Sequence, residues 1–110
     1  MNHSITIKKK YTNQQIDDLM CSALEGGITY WCNRVTVVGG KYLGEWASDQ
    51  ISRGGKLLID DMEEKKTHIL TLEKLLKALA TEPGFDIDDH DAGDADRIVQ
   101  KALFGEVVYC

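Results

Sequence analysis

The sequence predicts an α+β fold, a small antiparallel or mixed sheet packed by about four helices, and three observations carry that prediction. Apolar residues recur at helical spacing in several stretches that open on capping residues. Between them lie short alternating or β-branched runs bounded by glycine pairs, the pattern of strands and turns. With 110 residues and 43% apolar side chains the chain can build one core but not two, so residues 1–110 are expected to form a single domain.

The elements follow in order. Residues 4–11 alternate, with Ile5 and Ile7 on one side and Thr6 and Lys8 on the other, as in a half-buried strand whose lysine run discourages edge pairing. Thr12 and Gln15 form a capping box with a Tyr11/Ile16 staple, opening a helix that buries Ile16, Leu19, Met20, Ala23 and Leu24. Gly26-Gly27 is expected to end it in the left-handed conformation. The β-branched residues 35–38 predict a strand, and Gly39-Gly40 a turn. Residues 43–53 predict a short helix burying Leu43, Trp46, Ala47 and Ile51, stopped by Gly54-Gly55.

A hairpin is expected next, with strands at 56–61 and 67–70 and a charged connection between them. Thr71 can cap a helix with the stripe Leu72, Leu75, Leu76 and Leu79, closed by Pro83-Gly84. Asp91 can cap a last helix that buries Ala95, Ile98, Val99, Ala102 and Leu103, with Asp94 and Asp96 favouring its N-terminal dipole. Gly105 ends that helix, and residues 106–109 read as a final strand whose edge could support self-association into a homo-oligomer.

A formal charge of −5 opposes general affinity for nucleic-acid backbone, while it suits solubility or a basic partner surface. Three dispersed cysteines, Cys21, Cys32 and Cys110, form no paired motif for zinc or redox exchange and fit a reducing cytoplasm. The opening Met1-Asn2-His3-Ser4 leads into a polar segment rather than a signal-peptide core, and no stretch approaches a membrane span, so a cytoplasmic protein with no membrane partner is expected.

Three groups could carry chemistry. The loop holding Asp88, Asp89, His90 and Asp91 brings oxygen ligands and an imidazole together as a weak metal site, although the EF-hand spacing fails and helix capping is the commoner use of such aspartates. Nucleophilic catalysis has no Gly-x-Ser-x-Gly elbow or phosphate-cradling loop to stand on, so no cofactor and no catalytic residues are expected. Tyr30, Trp31 and Trp46, with Arg34 and Arg53, are the better binding candidates, since aromatics and arginine dominate interface hot spots and can stack on bases. Against that stands the ordinary role of tryptophan as core filling.

The segments Ala23-Leu24-Glu25-Gly26-Gly27, Tyr30-Trp31, Leu70-Thr71-Leu72-Glu73-Lys74-Leu75-Leu76, Asp94-Ala95-Asp96 and the run from Ala102 to Tyr109 occur in an order that resembles small uncharacterised proteins of tailed phages and prophages. Those proteins end in glycine where this chain has Cys110. The resemblance implies a source and no reaction. It suggests an accessory binding protein, an antagonist of bacterial defence such as a CRISPR inhibitor, acting in the host cytoplasm by covering a host defence protein. Two other readings compete. One is a sponge for a cyclic nucleotide signal, with aromatic stacking on bases and Arg34 or Arg53 on phosphate. The other is a small metal-dependent hydrolase using Asp88, Asp89, His90 and Asp91.

Overall fold

The computed structural model describes residues 9–110. The predicted strand over residues 4–11 lies mostly outside them, and Lys9, Lys10 and Tyr11 belong to no regular element. The chain forms an α+β fold with a small antiparallel sheet and helices packed on it.

Helix α1 (Asn13–Ser22) starts where its capping box places it. Thr12 Oγ1 accepts from the Gln15 N–H at 3.1 Å, and Gln15 Oε1 accepts from the Thr12 N–H at 2.9 Å. Two otherwise orphaned donors are thereby satisfied. Ile16, Leu19 and Met20 face inward, as their spacing requires.

The glycine pair does not stop this helix in the left-handed conformation. Neither Gly26 nor Gly27 has a positive φ, and the chain widens into a π-helical turn over Ala23–Gly27. Gly27 answers to a different demand, because a Cβ there would lie 2.5 Å from Ala92 O and 3.2 Å from Asp96 N. Only a residue without a side chain lets this turn press against the backbone of the last helix.

Among the described residues three strands form the sheet in the order β1-β2-β3: β1 (Cys32–Val37), β2 (Leu57–Asp61) and β3 (Lys66–Leu70). Both pairings are antiparallel, with Val35 opposite Ile59 and Ile59 opposite His68. The register slips between Cys32 and Arg34, a bulge at the start of β1. Along β2 the period-two rule puts Leu57, Ile59 and Asp61 on the covered face. Asp61 is thus a carboxylate at a core position.

Helix α2 (Leu72–Ala80) is capped by Thr71 and buries Leu75, Ala78 and Leu79, while Leu76 of the predicted stripe turns outward. Helix α3 (Ala92–Phe104) carries an Asp91/Asp94 capping box, with Asp94 N donating to Asp91 Oδ1 at 2.7 Å. Gly105, at φ 79°, closes it in the left-handed conformation that suits glycine. Its inner face holds Ala95, Ile98 and Val99, and with them Asp96 and Gln100. Helix α3 packs on α2 and on the π-helical turn, and the common core includes Leu19, Met20, Trp31, Ile59, Leu75 and Ile98. Each such large side chain, taken fully out of water, contributes about 1.5–3 kcal/mol.

Two further expectations are corrected. Residues 43–53 form no continuous helix but an irregular segment followed by two short 3₁₀ turns, Ala47–Asp49 and Ile51–Arg53. Ile51 is buried as predicted, whereas Leu43 and Trp46 are exposed. Residues 106–109 form no strand. The N–H groups of Val108 and Tyr109 both donate to Gln100 Oε1 at 2.8 Å, so α3 ties down the tail and no edge strand is presented there.

Candidate functional site

The two tryptophans predicted to bind together have opposite fates. Trp31, which immediately precedes β1, has no exposed surface. Its ring stacks on Tyr109 at 5.5 Å and tilts against Phe104 at 5.6 Å, and Nε1 donates to Asp96 Oδ1 at 2.8 Å. Trp31 is therefore corrected to a core residue, because a ring with no exposed surface offers nothing to a partner.

Tyr30 belongs to the same arrangement. Its hydroxyl donates to Asp96 Oδ2 at 2.7 Å, and burial together with that bond pushes its pKa up to about 12. Gln100 Nε2 donates to Asp96 Oδ1 at 2.9 Å and to Tyr109 O at 3.0 Å. The side chain of the same Tyr109 reaches the sheet, where its Oη donates to Asp61 Oδ2 at 2.7 Å and His68 Nε2 also lies 3.3 Å from that oxygen. Burial alone would raise the Asp61 carboxyl, but Tyr109, the N–H groups of Glu64 and Glu63, and His68 outweigh it and hold the group below the usual carboxylate range. Among the described residues no buried side-chain polar atom is left without a partner. These groups hold the C-terminal tail to the body, and of the two aromatics Trp31 is enclosed by them while Tyr30 remains 45% exposed beside them.

Trp46 stands in different surroundings and is 63% exposed. The chain leaves β1 through Gly39 and Gly40, both at positive φ, and enters the segment carrying Tyr42, Leu43 and Trp46, each more than half exposed. Two side chains just downstream hold this segment. Gln50, fully buried, accepts from Leu43 N through Oε1 and donates through Nε2 to Trp46 O, both at 2.7 Å. Asp49 Oδ2 accepts from Glu45 N at 3.2 Å and Trp46 N at 3.1 Å. These bonds replace the helical ladder and explain why the predicted helix is absent.

Arg53 fixes this segment to α1. Its Nη1 donates to Asp17 Oδ2 at 3.2 Å and Asp49 O at 2.8 Å, while Ser52 Oγ donates to Asp17 Oδ1 at 2.6 Å. The guanidinium predicted for phosphate is thus engaged by protein. Arg34 is exposed on β1, opposite Asp60, and is not part of the Trp46 surroundings. Where the Trp46 segment meets α1, a depression of about 290 Å³ opens, lined by Cys21, Leu24, Glu25, Trp46, Ala47 and Ser48. Burial, a hydrogen bond with Glu25, and the charges of Glu25, Asp18 and Asp49 all push the Cys21 thiol up, so it remains protonated at neutral pH.

The acidic loop is engaged in structural bonds. Asp88 accepts from Gln15 Nε2 at 3.1 Å, Asp91 caps α3, and His90 lies 2.8 Å from Ile87 O through Nδ1 and 2.9 Å from Ser22 Oγ through Nε2. Asp89 lines a second depression, of about 410 Å³, with Glu82, Phe85, Asp86, Asp94 and Arg97. There Arg97 pairs with Glu82 and Asp94 and lies over the Phe85 ring. Among the described residues no group of three or more His, Cys, Asp or Glu side chains is placed to hold a metal ion. Asp88, Asp89, His90 and Asp91 are consecutive in sequence without converging on one point.

Sequence reasoning passed over Asp49 and Gln50, which hold the exposed loop, and Gln100, and it gave Asp96 only a dipole role at the start of α3, whereas Asp96 and Gln100 anchor the tail. Asp96 and Gln100 stand four apart on the apolar face of α3, and a polar pair at that spacing inside a stripe is the signal that could have found them. Also among the described residues, no helix is long and apolar enough to cross a membrane. Comparison of the chain with protein-family models, curated proteins and solved structures finds no match.

Proposed function

We propose that this chain is an accessory binding protein without catalytic activity, of phage or prophage origin, that acts in the host cytoplasm by occupying a host protein. The observation that carries the reading is Trp46, a large aromatic 63% exposed on a loop whose backbone is hydrogen-bonded at residues 43, 45 and 46. Leaving such a ring in water forgoes the stabilisation its burial would bring, and holding it rigidly lowers the entropy lost when a partner covers it. Tyr42 and Leu43 extend the same exposed segment. The resemblance of the quoted segments to small phage proteins makes a component of a bacterial defence system, such as a CRISPR effector, the favoured class of partner.

The nucleotide-sponge reading draws less support. It asks for an exposed stacking ring beside an available guanidinium, whereas Trp31 is buried and Arg53 is paired with Asp17.

The test is affinity capture from a host lysate with the wild-type protein, Trp46→Ala and Arg97→Ala, then reconstitution with the purified captured protein. The reading predicts a stoichiometric complex that survives Arg97→Ala and is weakened about a hundredfold by Trp46→Ala, the scale of an aromatic hot spot. Equal affinity for wild type and Trp46→Ala would remove the site. Calorimetry against cyclic di- and oligonucleotides supplies the competing outcome, since tight nucleotide binding with no protein partner would replace the reading.

A further inference from the structure

The depression beside Trp46 combines three properties. It is lined by Leu24, Ala47 and Trp46 with more apolar than polar surface, it encloses about 290 Å³, and Glu25 stands in its wall. Asp18 and Asp49 lie close enough to act on the Cys21 thiol in the same wall. Among the described residues none of Asp18, Glu25 and Asp49 is in an ion pair, and no lysine or arginine lines the depression. The site is therefore greasy in its lining and negative at its rim, on a chain of net charge −5. An acidic side chain entering it would meet like charge, and a purely apolar one would leave Glu25 desolvated without a counterion.

We infer that this depression receives an arginine or lysine side chain from a basic segment of the protein partner, its aliphatic stem lying on Trp46 and Leu24 and its charged end meeting Glu25. The inference rests on the binding reading above and gives the partner's contact surface its chemistry. A cation over a tryptophan face is attracted by the ring quadrupole as well as by the carboxylate, and a long stem covers apolar surface while its head remains solvated or paired. A basic surface on the partner also gains association rate from the overall negative charge. The protonated Cys21 thiol adds no charge to oppose or reinforce this pairing.

The experiment uses the full chain and an acetylated, amidated octapeptide of alternating arginine and leucine, with a matched peptide carrying citrulline for arginine. Binding is read from backbone amide shifts and from tryptophan emission, with the variants Glu25→Gln and Trp46→Ala. The inference predicts saturable shifts confined to the neighbourhood of residues 21–25 and 45–48, with affinity about tenfold weaker for the citrulline peptide. Glu25→Gln should weaken the arginine peptide about threefold or more and leave the citrulline peptide unchanged. Both residues are exposed, and an unchanged melting temperature confirms that the variants fold.

Equal binding of the two peptides overturns the inference, as do shifts that map elsewhere. Shifts at Trp46 that appear on raising protein concentration without peptide would assign the depression to a second copy of this chain and overturn it too. If the peptide fails while Trp46→Ala still abolishes capture of a host protein, the cationic occupant is wrong and the binding loop stands. If Trp46→Ala leaves capture intact, the binding loop itself falls.

Discussion

Gln50→Met tests whether a buried amide holds the exposed loop in place. Methionine is unbranched and of similar length, so the core around residue 50 stays filled while two hydrogen bonds of 2.7 Å, to Leu43 N and Trp46 O, are lost. A typical bond contributes about 0.5–1.5 kcal/mol net, more where its abandoned partner stays buried. Trp46 O keeps its bond from Asp49 N at 3.0 Å and both lost bonds are only part-buried, so the lower scale applies. Two bonds then give about 1–3 kcal/mol, or a fall in melting temperature of about 4–24 °C for a domain near this size. Urea unfolding at equilibrium measures the first figure and calorimetry the second. Amide exchange at Leu43, whose N–H is bonded to Gln50 Oε1 in the wild type, should rise with them, and affinity for the captured partner should drop because the loop must be ordered on binding. Unfolding free energy within about 0.5 kcal/mol of wild type, together with unchanged exchange at Leu43, would refute the idea that Gln50 holds the loop.

Gly27→Ala should destabilise the fold by about 1–3 kcal/mol in urea unfolding, because the new Cβ meets Ala92 O and Asp96 N, which are backbone atoms that cannot rotate away. Trp31→Ala should cost about 3–5 kcal/mol and Trp46→Ala less than about 0.5 kcal/mol, a contrast measurable in the same assay and set by burial of one ring and exposure of the other. Asp61 ties stability to pH. Its folded pKa lies below the usual value, so its contribution is fully present above about pH 4 and is lost as pH falls through the lower folded value. Asp61→Asn should therefore lower the melting temperature at neutral pH and flatten its decline in acid, whereas an acid slope equal to wild type would show that the carboxylate is not the linked group.

The sequence made the capped, periodic elements legible because their signals are local. Thr12 with Gln15, and Asp91 with Asp94, each satisfy helix donors within one turn, and the stripes Ile16/Leu19/Met20 and Ala95/Ile98/Val99 need only a core to face. The hairpin of β2 and β3 was equally local, its strands meeting across a short charged turn. What escaped depended on partners distant in the chain or on competition for the backbone. Residues 43–53 carry a helical pattern, but Asp49 and Gln50 take the hydrogen-bonding groups of residues 43, 45 and 46 for themselves. Residues 106–109 have strand composition, yet Gln100 captures the N–H groups of Val108 and Tyr109 from the neighbouring helix. Gly27 reads as a helix stop, although the demand on it comes from α3, some seventy positions later. The candidate site was half legible for a similar reason. Composition identifies tryptophan as an anchor, but which of Trp31 and Trp46 faces water depends on Asp96, Tyr109 and Phe104, which close over one ring from the far end of the chain.

The chain contains two tryptophans, so fluorine NMR of 5-fluorotryptophan-labelled protein should give one resonance for each ring. In the free protein the account predicts a solvent-isotope shift for Trp46 and little for Trp31, and on adding the captured host protein it predicts that the Trp46 resonance moves while that of Trp31 stays. A Trp31 resonance that responds to solvent or partner, or a Trp46 resonance unmoved in a saturated complex, would contradict the claim that the clamped loop at residues 43–46 is the binding surface.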